Sequence, residues 1–138
     1  MPALRNTEIK RPGTMVYAAA ALSLVAGLIH AWAMPEHYRE WWGYGAFFVV
    51  VASAQVFLSD ALLYRPRRRL FVVGVMGNLV VISLYVVTRT VGVPFFGPHA
   101  GEVEEMGLID LLSIVVELAL VITLVGLLRV RLATRPTM

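Results

Sequence analysis

His30, Met34 and His37 stand at i, i+4 and i+7 in the stretch LIHAWAMPEHYREWWGYGAFF (28–48), with Glu40 three residues beyond. On a continuous helix that spacing makes one face. Imidazole nitrogen beside thioether sulfur suits copper, so Met34, His37 and Glu40 are candidate metal ligands and copper is the cofactor they would hold. Asp110 and His99, in segments on the same side, are possible further ligands. Pro35 opposes the arrangement, because it is expected to end the helix before His37 and so break the face. On that reading His37 is left in water and His30 joins polar residues of neighbouring helices.

Those polar residues lie inside long apolar runs: Gln55, Asn78, Tyr85, Arg89, Asp110 and Glu117. At about 1.5 Å rise per residue, Glu117 falls near the centre of its run, with Gln55 and Asn78 within roughly 5 Å of that plane. His30 and Asp110 fall on the order of 10 Å to the other side, with Arg89 slightly further. Asp110 and Glu117 are seven apart with Ser113 between them, a single helical stripe. Ala19, Ser23, Ala26, His30 and Met34 form a similar small-to-polar stripe, as do Gly45, Ala52, Gln55 and Ser59, and roughly Gly74, Asn78, Tyr85 and Arg89. Small residues let helices approach, and buried polar groups bond across the contact. A charge near a bilayer centre costs about 2.5–3.5 kcal/mol on the insertion scale, so each needs a partner. Arg89 and Asp110 are the expected ion pair, with His30 as a third member.

The elements that carry this seam follow from composition. The chain has 138 residues, enough for one domain over 1–138, and 59% are apolar. Its mean hydropathy of +0.75 is too high for a soluble fold of this size. Four apolar runs, about 14–34, 42–63, 70–90 and 105–128, each approach the ~20 residues a membrane helix needs. Prolines 35, 66, 94 and 98 lie in or beside the breaks between them. The runs lack the alternation of barrel strands, and backbone groups in hydrocarbon must be satisfied internally, so all-α structure is expected. A basic leader, an apolar run and AWA at 31–33 imitate a cleaved signal peptide, but the run is longer than a signal's apolar region and reads as a retained span. The expected fold is an integral membrane antiparallel four-helix bundle.

Lys and Arg orient it. Arg5, Lys10 and Arg11 precede the first span, Arg65, Arg67, Arg68 and Arg69 fill the second break, and Arg129, Arg131 and Arg135 follow the last span. The first and third breaks hold Arg39 but carry Glu36, Glu40, Glu102, Glu104 and Glu105. Both termini are therefore expected in the cytoplasm of a multi-pass cell-membrane protein. The net charge of +3 is a topology signal, not a nucleic-acid surface. Trp41, Trp42, Tyr38 and Tyr44 read as an interfacial aromatic belt.

The absence of cysteine removes disulfides and thiolate chemistry. No Ser-His-Asp order, phosphate loop or HExxH motif is present, so no enzymatic activity is expected. Intramembrane carboxylates also suit a proton or ion path, but four helices leave little room for one and a pore would need an oligomer. The combination of H…PEHYREWWGYGAFF, RTVGVPFFGP and D-x6-E resembles small bacterial four-span membrane proteins. It is carried by His30, Pro35, Glu36, His37, Arg89, Thr90, Gly92, Pro94, Asp110 and Glu117 and covers most of the chain. It implies an outward polar site and no particular activity. The expectation is a binding or accessory subunit whose polar seam opens outward, surrounded by the lipid bilayer and touching another membrane protein or a second copy of itself. Copper binding is the alternative, ion conduction the less favoured one.

Overall fold

The computed structural model describes residues 13–133, with side chains described for 13–130. Arg5, Lys10, Arg11 and Arg135 of the orientation argument lie outside the described residues, as does the Arg131 side chain. Four helices form: α1 (Thr14–Glu40), α2 (Trp42–Tyr64), α3 (Arg68–Thr90) and α4 (Leu108–Ala133). All four are long and apolar enough to cross a membrane. By length and composition this is a multi-pass membrane protein.

Pro35 does not end the first helix. α1 continues through it to Glu40. A proline removes one backbone donor, the bond that Ala31 O would have accepted, a local loss that membrane helices tolerate. Here the His37 imidazole donates from Nδ1 to Ala33 O at 2.9 Å, and Trp41 N–H closes the end on His37 O at 3.1 Å. The His37 ring also stacks on Phe48 of α2, centroids 4.1 Å apart. The last helix starts at Leu108, later than the apolar run suggested, because residues 102–107 are irregular.

α1 packs most closely against α2, then against α4; α3 packs against α4, and α2 touches α3 least. Val16 and Ala20 from the start of α1, Leu58 and Leu62 from the end of α2, Phe71 from the start of α3 and Leu120, Leu124 and Leu127 from α4 make one core. Its members define the lower end of the molecule. The upper end carries the α1–α2 turn and the segment 91–107. Outer faces stay apolar, with Leu28, Val50, Phe57, Val80 and Ile122 all exposed.

Gly27 sets the α1–α2 distance. A Cβ there would lie 3.2 Å from Ala52 O, Gln55 Cβ and Val56 Cγ2, one of them backbone. Gly27→Val should therefore lower stability by about 1–3 kcal/mol through overpacking, read as reduced resistance to unfolding in mixed micelles. The solvent-side Gly13, with nothing within 4 Å of its Cβ position, serves as the control expected to change little on substitution to alanine.

Segment 91–107 folds back on α3. Gly92 has φ +78°, and a Cβ there would meet Glu102 O at 2.7 Å, so only glycine fits. The return is pinned by Gly101 N–H to Val93 O at 2.7 Å and Glu104 N–H to Thr88 O at 3.0 Å.

Candidate functional site

Polar side chains occupy the interior in two levels above the aliphatic core. The first is closed by its own hydrogen bonds. Ser59 Oγ donates to Ala20 O at 2.8 Å, and the Ser23 hydroxyl lies within bonding distance of both Gln55 O and Gln55 Oε1. Gln55 Nε2 donates to Asn78 Oδ1 at 2.7 Å, and Asn78 Nδ2 donates to Gly74 O at 2.7 Å. The chain of bonds runs α1 to α2 to α3 and clips together α2 and α3, which otherwise touch little. Neutral bonds between membrane helices contribute around 0.6–2 kcal/mol each, so this level fixes register more than it adds stability.

The second level holds the ionisable groups. His30 Nε2 lies 2.7 Å from Glu117 Oε1, with Glu117 wholly buried and His30 nearly so. Arg89 reaches two carboxylates: NH2 donates to Asp110 Oδ2 at 2.8 Å, and NH1 to Glu104 Oε2. NH1 also donates to Thr88 Oγ1 at 2.9 Å, and the guanidinium sits over the Tyr85 ring, 4.7 Å from its centroid. Asp110 Oδ2 in turn accepts Gly107 N–H at 3.0 Å, the third-residue half of a capping box at the start of α4.

The Arg89–Asp110 pair is as expected, but His30 is not its third member. The reason is depth. Because α1 runs to Glu40, its centre moves about three residues up, which brings His30 down to roughly 5 Å above it. The centre of α4 likewise lies below Glu117. Both residues then sit at one height and pair with each other. Glu104 takes the place left beside Arg89. Sequence reading missed it because its approach depends on the glycine-driven return of 91–107, of which Gly92, Gly97 and Gly101 were the only signal.

Met34 is half-buried, and Glu40 is exposed at the end of α1. His37 is engaged at Nδ1 with Ala33 O. Among the described residues no three His, Cys, Asp or Glu side chains come together as a metal-holding group. His99 is exposed and contacts Glu102 at 3.0 Å. Of the aromatic belt, Trp42 and Tyr38 are exposed. Trp41 and Tyr44 instead pack edge-on and tilted against Phe96, and Tyr44 OH donates to Phe96 O at 3.1 Å, anchoring the upper segment.

Beneath that segment lies a cavity of about 340 Å³. All four helices and the 91–107 segment line it, with His30, Tyr85, Arg89, Ser113 and Glu117 as its polar walls and Phe47, Phe48 and Leu84 among its apolar ones. Three buried atoms of these walls have no partner: Tyr85 OH, Arg89 Nε and Glu117 Oε2. His30 Nδ1 and Ser113 Oγ also meet no hydrogen-bonding group among the described residues. A second hollow of about 590 Å³, sharing His37, Arg89 and Asp110 with the first, is walled by Glu36, Glu40, Glu102, Glu104 and Glu105 as well. Set against family models, curated proteins and solved structures, the chain matches no family, no curated relative and no solved fold.

Proposed function

We propose that the chain is a non-enzymatic four-span protein of the cell membrane, an antiparallel four-helix bundle with cytoplasmic termini. Its cavity opens to the outside and binds a small ligand with a polar head, so that the protein serves as a binding or accessory subunit. The bilayer covers its outer faces, and another membrane protein or a second copy is its expected neighbour. The observation that carries this reading is the gathering of unpartnered polar atoms around one cavity. Each costs about 1–3 kcal/mol if left dry, a loss that a simple structural seam would avoid. The lower polar level does avoid it. The cavity has the volume of about ten waters, room for a ring-sized molecule or for solvent that such a molecule displaces.

The orientation rests on Arg65, Arg67, Arg68 and Arg69 at the α2–α3 turn and on the acidic residues of the two upper segments. Single cysteines test both claims cleanly, since the chain has none of its own. In intact cells a membrane-impermeant thiol reagent should modify cysteine placed at Ala100 and spare one placed at Arg67. Ser113→Cys, on the cavity wall, should also react from outside, whereas Ser23→Cys, in the closed level, should not. Reaction at Arg67 but not Ala100 would reverse the topology. A silent Ser113→Cys beside a reactive Ala100 variant would remove the outward-opening cavity.

A further inference from the structure

We infer that the cavity takes a small organic cation, a primary or secondary ammonium carried on a ring-bearing apolar body. This rests on the outward-opening binding cavity and adds the chemistry of its ligand. The unpartnered groups set the sign. With His30 Nε2–H donating to Glu117 Oε1, the free Nδ1 is an acceptor. Glu117 Oε2 is a second acceptor, and the hydroxyls of Tyr85 and Ser113 each have lone pairs to offer. Arg89 Nε is the one obligate donor left over. An ammonium brings two or three N–H donors and no acceptor, which complements the four acceptors and leaves only Arg89 Nε unanswered. A neutral carbonyl compound would satisfy Arg89 Nε and leave Glu117 Oε2 and His30 Nδ1 without a donor.

Charge points the same way. The cavity walls carry Glu102, Glu104, Asp110 and Glu117 against Arg89 alone, and Arg89 is already held between Glu104 and Asp110. The adjoining hollow adds Glu36, Glu40 and Glu105. A chain of net charge +3 thus presents a negative approach at this one end, and a cleft of one sign with low-dielectric walls concentrates ions of the other. The acidic rim alone would suit any counter-ion in water. What selects a ligand is Glu117, wholly buried on the cavity wall with one oxygen unpartnered. Phe47, Phe48, Val81 and Leu84 line the same cavity and supply apolar contact for the ligand's body.

The test uses the full-length protein in nanodiscs, with empty nanodiscs as the blank for partitioning. Three probes that share a phenylethyl body are titrated by calorimetry: phenethylammonium, 2-phenylethanol and 3-phenylpropanoate. The ammonium should bind at least about tenfold more tightly than the alcohol, the order a charge-assisted hydrogen bond supplies, and the carboxylate should not bind. Glu117→Gln should bring ammonium and alcohol to near-equal affinity; should that variant fail to fold, the ranking of the three probes on the wild-type protein decides. Equal or tighter binding of the alcohol or the carboxylate overturns the inference. So does binding of no probe while Ser113→Cys reacts from outside, an outcome that leaves a water-filled cavity standing. If Ser113→Cys is unreactive from outside, the cavity reading falls and the cation site with it.

Discussion

Replacing His30 by leucine should destabilise the folded helices by about 3–5 kcal/mol, and replacing Glu117 by leucine should cost clearly less. The asymmetry follows from what each change strands. Without His30, Glu117 keeps no hydrogen bond at either oxygen, in a position with no solvent exposure. Without Glu117, His30 remains as an imidazole, a group that can be buried neutral. Removing both with leucine leaves an apolar interior and should recover much of the loss, since a buried pair replaced as a unit is often neutral or better. Unfolding of the three variants in mixed micelles gives the coupling directly. Additive effects would mean that the 2.7 Å contact has no energetic weight, since contacting residues normally couple by 0.5–3 kcal/mol.

The second large effect belongs to Arg89. Arg89→Leu should cost about 3 kcal/mol, because it unpairs Asp110 and Glu104 together and frees the 91–107 segment from α3. Asp110→Leu and Glu104→Leu should each cost only about 1 kcal/mol, since the remaining carboxylate still pairs with the guanidinium and both carboxylates are partly solvated. Hydrogen exchange separates the contributions. The Glu104 and Gly101 amides, bonded to Thr88 O and Val93 O, should lose protection in Arg89→Leu and keep most of it in Asp110→Leu. The Gly107 amide should behave the opposite way, because Asp110 is its acceptor. Equal loss of all three amides in both variants would show that the segment unfolds as one unit with no distinct role for Glu104.

The four spans were legible because hydrocarbon admits only helices of a certain length, and runs of Val, Leu and Ile mark that length whatever their packing. The stripe holding Gln55 and the one holding Asn78 were legible for a similar reason. Each is the polar face of an otherwise apolar cylinder, and the two side chains meet at 2.7 Å. Partner choice among the charged residues was less accessible. It depended on depth, and depth was measured from a helix end that Pro35 placed six residues too early. One missing N–H is a small local loss, and the seating of His37 on Ala33 O and against Phe48 in the turn beyond it cannot be seen until its ring is placed. Glu104 was hidden for a different reason. Nothing periodic connects position 104 to position 89; only the reversal at Gly92 does, and that is a matter of backbone angle. The cavity was illegible altogether, since a void is a property of how four faces fail to meet.

The aliphatic core at the lower end has a kinetic consequence. Phe71, Leu62, Leu120 and Leu124 are fully buried there, and the Ser23–Gln55–Asn78 level above them is closed by its own bonds. The cavity therefore has a floor, a level of bonded polar groups over packed aliphatic side chains. On the proposed reading, a ligand that entered from the upper end would meet that floor and return by the way it came, so exchange would follow its concentration on that side.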